Sequence, residues 1–147
     1  ETKQKESDVV VATIMGLSRR IIQYTPVGNP DLWLYKHPTR GYIDYIGYLG
    51  HPEGYTGGQA KGHWVASVGS SSAALTGNID PSGQETIKGI TATAEGSVGD
   101  VFYLVNNLPY IRRLEYEGWS QQAPDGMVRR AVSELPVAFR EALSVIN

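Results

Sequence analysis

The three histidines are the side chains of this sequence best suited to hold a metal ion. They are His37, His51 and His63, all in or beside a glycine-rich stretch. None of the pairs has the four-residue spacing that presents two imidazoles from one helical face. The chain has no cysteine, which excludes disulfides, thiolate nucleophiles and cysteine-ligated zinc or iron–sulfur sites, and suits a reducing cytoplasm. We therefore expect no metal and no cofactor, and histidines that are exposed or partly packed.

Two short motifs lack what their chemistry needs. The segment GYTGGQAKGHW places Lys61 before Gly62 with no hydroxyl residue after it, whereas a phosphate-binding loop ends in Gly-Lys followed by Ser or Thr. The run GSSSAAL has Ala73 where a nucleophile elbow needs its second glycine. Both segments are better explained as loops.

The carboxylates do not single out an acid–base pair. Glu115 lies close to Arg112 and Arg113, and other acidic residues stand alone in the sequence. The isolated ones include Asp44, Glu53, Asp80 and Asp100. We expect a protein that is not an enzyme. Because glycosidase pairs assemble only in three dimensions, a small carbohydrate-binding or hydrolytic module with sugars stacked on tyrosines stays open as an alternative.

Hydrophobic periodicity predicts helices at both ends of the chain. Apolar residues between Ser7 and Tyr24 recur at steps of three and four, which indicates an amphipathic helix with one buried face. That stripe comprises Val10, Ile14, Leu17, Ile21 and Tyr24. Pro26 ends the helix because it cannot donate the next hydrogen bond. A second helical face starts near Pro124, and Pro136 is expected to kink or split that helix after Leu135.

Between these helices we predict two strands and a third helix. HWVASVG, residues 63–69, alternates as a strand does, and DVFYLVNN, residues 100–107, is rich in β-branched and aromatic residues. The second strand lacks polar alternation, so we expect it to be buried on both faces. QETIKGITATAE, residues 84–95, has helical periodicity. The predicted fold class is α+β: a small, mostly antiparallel sheet packed by the N-terminal and C-terminal helices.

A long excursion precedes the first of these strands. We predict a single domain over residues 1–147 with an extended inserted loop at about 28–57, rich in glycine and tyrosine. So long a connection is unusual inside a compact domain. Its aromatic content favours order through packing, including packing against another subunit, and further strands are to be looked for within it.

The segment from Asn106 to Ala131 forms a corner between the second strand and the last helix. NNLP leaves the strand by a turn, and PYIRRLEYEG forms a short helix closed by Gly118. SQQAPDG then restarts a helix, with Ser120 or Gln122 near its cap and Asp125 against the positive helix end.

The side chains of this corner are suited to an interface. Tyr116 and Trp119 stand between the two helices and are residue types that anchor protein contacts. Four arginines are expected to pair with carboxylates of a neighbouring subunit: Arg112, Arg113, Arg129 and Arg130. The alternative is a corner that only covers the core of its own subunit.

The net charge of the chain is −2, from 13 basic and 15 acidic residues. Such a balance gives no overall attraction to nucleic acid or to anionic membranes. No window comes near the roughly 18 consecutive apolar residues of a membrane span, and the polar start ETKQKESD lacks the apolar region of a secretory signal. We therefore expect a soluble chain with no membrane partner.

Three segments of the sequence resemble, in order, the motifs of one protein family. They are TPV at residues 25–27, GGQAKGHWVASVG at 57–69 and VFYLVNNLPYIRRLEYEGWSQQAPDGMVRRAV at 101–132. The order is similar to that of the tail-completion or neck proteins of tailed bacteriophages, head–tail joining proteins often described as minor tail components. The last motif is the longest and the most specific, and the match spans most of the chain.

Two features depart from the family's pattern. Where the family has a short aspartate-threonine-glycine link after the first turn, Gly28 opens the longer insertion. Glu117 stands between Tyr116 and Gly118, which makes the corner one residue longer. The family pattern therefore gives no guide to the contacts of the insertion.

The resemblance implies a structural virion protein of the phage neck, present in the host cytoplasm during assembly. It would form a homo-oligomeric ring, commonly six-fold and in some cases twelve-fold. Its neighbours would be the head–tail adaptor or connector protein on one side and the tail terminator or tail tube protein on the other. DNA would pass through the lumen as non-specific cargo, which fits a near-neutral charge. A tail terminator that caps the tail tube is the alternative within the same particle.

Ring closure requires two different patches on each subunit. We expect the corner to supply one patch, formed by Tyr110, Arg112, Arg113, Glu115, Tyr116 and Trp119. We expect the insertion to supply the other patch, or a contact with the adjoining ring, through Trp33, Tyr42, Tyr45 and Tyr55.

Overall fold

The structure, a computed structural model, describes residues 2–28, 57–96 and 99–146, and the backbone of residues 34–37 and 41–44. Its helices are α1 (Thr2–Tyr24), α2 (Gln59–Gly62), α3 (Gln84–Glu95), α4 (Ile111–Tyr116), α5 (Val128–Ser133) and α6 (Leu135–Ile146). Its strands are β1 (Leu34–His37), β2 (Gly41–Asp44), β3 (Trp64–Val68) and β4 (Phe102–Asn106). These helices and antiparallel strands confirm the predicted α+β class.

The N-terminal helix α1 ends at Tyr24 as predicted but begins earlier, at Thr2. Its buried residues are Ser18, Ile21 and Ile22. The predicted buried stripe is wrong toward the N-terminus, because Val10 is 56% exposed and none of residues 2–17 is buried. Periodicity identifies the apolar face of a helix, but the length of that face that is buried depends on the elements that lie against it.

Strands β3 and β4 form an antiparallel pair at the two predicted positions. Trp64 lies opposite Asn106 and Val68 opposite Phe102, and α3 packs against the pair. The predicted burial of β4 on both faces is wrong, because each of its residues is only half-buried. Phe102 and Leu104 pack against the core, and the alternating side chains point away from it.

The insertion contains a second antiparallel pair, so further strands are indeed present there. In this hairpin Leu34 of β1 lies opposite Asp44 of β2. The two ends of the insertion meet at its base: a Cβ placed on Gly57 would lie 2.1 Å from the Gly28 carbonyl oxygen. The φ of Gly57 is +76°, in the left-handed region that glycine adopts readily. The chain therefore leaves the domain and returns to it at one point.

The C-terminal helical segment is split at Glu134, between α5 and α6, which confirms the predicted effect of Pro136. Both helices bury small residues, Ala131, Ala138 and Ala142. The predicted apolar face is only partly buried: Met127 is fully buried, whereas Val132, Leu135 and Phe139 stay exposed. Helix α6 packs on α1 through the small residues, since the alanines and Gly16 allow a close approach of the two backbones.

Glu134 ties the break between α5 and α6 to α1. The Tyr24 hydroxyl donates to its carboxylate at 2.6 Å, and Arg20 Nε lies 3.0 Å from it. The Arg130 guanidinium lies 3.6 Å from the same carboxylate and 3.8 Å from the centre of the Tyr24 ring. The C-terminal end of α5 and the C-terminal end of α1 are therefore held side by side.

The core lies where α1, α3, the β3–β4 pair and the corner meet. Its buried residues are Ile21, Ile22, Ala60, Trp64, Ile90, Leu108, Leu114, Ala123, Met127 and Ala131. The one indole in this core is hydrogen-bonded: Trp64 Nε1 donates to Thr25 Oγ1 at 2.9 Å. That hydroxyl in turn donates to the Ile21 carbonyl oxygen at 2.6 Å. This bond gives a carbonyl group in the last turn of α1 a hydrogen-bond donor.

Candidate interaction surface

The three segments that carry the family resemblance lie against one another in the structure. Asn106, at the end of β4, donates through Nδ2 to the Ala60 carbonyl oxygen at 2.9 Å. The side-chain amide of Gln122 pairs with both backbone groups of Val27, at 3.1 Å and 2.9 Å. Residues 25–27, the GGQAKGHW segment and the corner therefore share one hydrogen-bonded junction, which holds the corner to the rest of the domain.

Glu115 fixes the shape of the corner from inside. The residue is 7% exposed, and its carboxylate accepts backbone N–H groups of Met127, Val128 and Arg129 at 2.7, 3.0 and 2.9 Å. Burial by itself would raise the pKa of Glu115, but these donors outweigh burial and hold the pKa below its ordinary value of 4.5. The carboxylate thus supplies the negative charge at the N-terminus of α5.

The helix after the corner begins at Val128, later than predicted. Before it, the chain makes two successive turns, in which the Ala123 N–H donates to the Ser120 carbonyl and the Gly126 N–H to the Ala123 carbonyl. The predicted cap residues and Asp125 are therefore not at the helix start. The prediction was wrong because the carboxylate that caps this helix belongs to α4, an element that sequence proximity does not single out.

Tyr116 and Trp119 are the exposed aromatic side chains of the corner. They are 62% and 57% exposed. Two guanidinium groups lie near the Tyr116 ring, with Arg129 at 5.0 Å and Arg112 at 5.8 Å from its centre. The Trp119 ring lies 4.4 Å from the guanidinium of Arg113. These distances are those of cation–π contacts, so both rings are held in place although they face solvent.

Three of the four corner arginines bind carboxylates of their own chain. Arg129 Nε lies 3.2 Å from Glu115, and its guanidinium also donates to the Glu115 carbonyl oxygen. The others are the Arg113–Glu117 pair at 3.8 Å and the Arg130–Glu134 pair at 3.6 Å. These three arginines therefore have a carboxylate partner within their own chain, and the pairing of any of the four with a neighbour stays a prediction. Arg112 has no carboxylate partner among the described residues.

The predicted interface residues of the corner differ in position. Tyr110 is half-buried and donates through its hydroxyl to Gln59 Oε1 at 2.9 Å, so its role in an interface stays a prediction. Glu115 is buried and does not present its carboxylate to a partner as predicted. Four face solvent: Arg112, Arg113, Tyr116 and Trp119. Sequence reasoning also missed the contact of Gln122 with Val27, for which no local pattern gives a signal. That the exposed four form an interface stays a prediction.

The predicted residues of the insertion are mostly outside the described part of the chain. Trp33, Tyr45 and Tyr55 lie there, as does His51. Tyr42 is in β2, opposite Lys36 of β1. Their proposed contacts remain predictions.

His63 is buried, contrary to the expectation of exposed or partly packed imidazoles. Its Nδ1 lies 2.7 Å from the Gln59 carbonyl oxygen, and the Gly77 N–H donates to Nε2 at 3.2 Å. Both ring nitrogens are therefore occupied by backbone groups. Within the part of the chain that the structure describes, no group of three His, Asp or Glu residues is placed to hold a metal ion.

Comparison with protein-family models, with curated proteins and with solved structures finds no match for this chain. Among the described helices, none combines the length and the apolar character that crossing a membrane requires. At the corner, two aromatic rings next to guanidinium groups face solvent together with Arg112, which has no carboxylate partner among the described residues.

Proposed function

We propose that this protein is a structural virion protein that forms a ring in the neck of a tailed bacteriophage. There it joins the capsid connector to the tail and leaves a channel for DNA. The observation that carries the proposal is the exposure of Tyr116 and Trp119, each held by a guanidinium on a braced corner. Tyrosine, tryptophan and arginine are the side chains that contribute most to binding at protein interfaces.

The rigidity of the corner supports a role in assembly. Glu115 holds the start of α5, and Gln122 holds the middle of the corner to Val27. A surface that is already ordered loses little conformational entropy when a partner binds. The sequence resemblance to neck proteins supports the same role, because its longest motif is this corner.

The buried carboxylates of the described residues also fit a structural protein better than a hydrolase. Asp80 accepts the backbone N–H groups of Gly83 and Thr86, and Glu115 accepts those at the start of α5. A hydrolytic module would instead need a carboxylate pair free to act on a sugar. The tail terminator remains the alternative within the particle, since it too would be a ring.

The test is to replace Trp119 and Tyr116 with alanine in a phage that carries the gene. We expect each purified variant to unfold at the wild-type temperature, because the side chains are exposed, and the joining of heads to tails to fail. Each replacement removes a candidate hot spot, for which about 2 kcal/mol or more of association free energy is typical. Leu75→Ala, at a residue that is 62% exposed and distant in sequence from the corner, is the matched control.

Cryo-electron microscopy of the particle measures the position and copy number of the protein directly. We expect a closed ring between the capsid connector and the tail tube. Phage yield that is unchanged in both alanine variants, or density for the protein outside the neck, would contradict the proposal.

A further inference from the structure

The molecule has a second surface, different in kind from the corner. It is a groove of about 370 Å³ between the N-terminal half of α1 and the residues just before β4. Its apolar wall is formed by Val10, Val11 and Ile14. Glu6 and Asp100 place carboxylates along it, with Lys3 as the one cation.

The apolar wall of this groove has no cover within the described part of the chain. None of residues 2–17 of α1 is buried, although this part of the helix contains the run VVVATIM. Val10 is 56% exposed, and Val101, next to Asp100, is 57% exposed. Val10, Val11 and Ile14 line the groove together, and it is exposed apolar residues grouped in this way, not scattered ones, that mark interaction sites.

We propose that this groove binds the corner of a second copy of this chain, so that copies join head to tail. The inference rests on the proposed ring and names the two faces that close it. Trp119 is the anchor that enters the apolar part of the groove. Arg112 and Arg113 lie against the carboxylates of Glu6 and Asp100.

The charges of the two faces are complementary. The groove carries two carboxylates and one ammonium group. The corner carries four arginines and three acidic residues, Glu115, Glu117 and Asp125, which leaves a net charge of +1. Arg112 has no carboxylate partner among the residues that the structure describes. Opposite charges that meet in a contact steer association and fix its orientation, and their effect weakens with salt.

The size of the groove also fits. Its volume lies within the range of about 300–1,000 Å³ over which protein pockets take small ligands. One indole ring is at the small end of such ligands, and Trp119 is already held in an exposed position by Arg113.

The two faces are separated along β4 and along α1. Strand β4 starts just after Asp100, at the groove, and ends at Asn106, where the corner begins. The corner also reaches the C-terminal end of α1, where Arg130 stacks on Tyr24 at 3.8 Å. From Tyr24 back to Val10 the axis of α1 rises by about 21 Å. Two different patches so placed make a heterologous contact, which continues into a ring or a filament and does not stop at a pair.

The test uses two variants of the full chain, each with one face altered. The corner variant is Arg112→Glu with Trp119→Ala, and the groove variant is Val10→Arg with Asp100→Lys. All four side chains are exposed, so both variants should fold, which circular dichroism and thermal unfolding check. Ile79→Arg, at a residue that is 63% exposed and belongs to neither face, is the control.

Light scattering coupled to size exclusion measures the masses. We expect the wild type and the control to form oligomers, each face variant alone to be a monomer, and an equimolar mixture of the two variants to form a dimer. The mixture dimerises because each pair still has one intact corner and one intact groove. Higher salt should shift this dimer toward monomer.

Three outcomes would overturn the inference: a monomeric wild type at high chain concentration, a mixture that stays monomeric, or oligomers of the wild-type size in either variant. The neck assignment is tested separately by the particle map. A mixture that dimerises while the protein is absent from the neck leaves the head-to-tail contact standing and removes the assignment. If both variants still form a ring in the neck, the neck assignment stands and the proposed head-to-tail contact is wrong.

Discussion

Gly126 shows how closely one residue constrains the corner. Its φ is +81°, and a Cβ at this position would lie 2.6 Å from both the carbonyl oxygen and the carboxylate of Glu115. The missing side chain is what allows the turn to come near enough for that carboxylate to accept the N–H groups at the start of α5. A single glycine therefore decides whether the two helices of the corner can be joined.

Gly126→Ala should destabilise the protein by about 1–3 kcal/mol, because the left-handed backbone is strained for alanine and the contact with Glu115 must open. The matched control is Gly89→Ala in α3, where a Cβ meets nothing within 4 Å. That substitution should stabilise by about 0.5–1 kcal/mol, because alanine favours a helix interior. Urea unfolding followed by circular dichroism measures both, and equal effects of the two substitutions would contradict this account.

At the scale of elements, a few side chains connect pieces that are distant in sequence. Glu134 holds the α5–α6 break to α1, and Gln122 holds the corner to Val27. The insertion is connected differently, since Gly28 and Gly57 bring its two ends together. We therefore expect the insertion to be separable from the fold of the domain.

Replacement of residues 29–56 by a short glycine–serine linker should leave a folded domain, because the linker has only to span neighbouring positions. We expect a cooperative thermal transition and a near-ultraviolet circular dichroism signal for the buried Trp64. The control is the replacement of residues 70–75, a mostly exposed stretch without helix or strand, by glycine and serine residues. A variant that has lost its cooperative transition would show that the insertion belongs to the core.

For the whole molecule, acidic groups make stability depend on pH. Burial would raise the pKa of Asp80, but hydrogen bonds from Thr86 and Gly83 outweigh it and lower the pKa below 3.8. Backbone hydrogen bonds lower the pKa of Glu115 in the same way, and the Tyr24 hydroxyl lowers the pKa of Glu134. A folded-state pKa below the unfolded value means that the unfolded chain binds more protons as the pH falls. These groups therefore stabilise the fold above their ordinary pKa values and lose that contribution in acid.

We expect the free energy of unfolding to fall as the pH drops from about 4.5 through the lower folded-state values. Glu115→Gln should cost about 1–3 kcal/mol near neutral pH, because buried N–H donors lose a charged acceptor. Its difference from the wild type should shrink below pH 4.5, the ordinary pKa of this carboxyl. Glu117→Gln, on an exposed pair at 3.8 Å, should change little at any pH. Denaturant unfolding at a series of pH values checks this, and a constant difference for Glu115→Gln would contradict it.

The sequence by itself determined the features that depend on the local backbone. Pro26 ends α1, Pro136 splits the last helix, and residues 64–68 and 102–106 form strands because neighbouring residues decide these preferences. Only the tertiary structure decided the roles of Glu115 and Val10. The carboxylate is buried because the start of α5 folds back onto it, and Val10 is exposed because no described element reaches it. Burial and hydrogen bonding depend on which distant segment packs against a side chain. The periodicity of one segment carries no information about that packing.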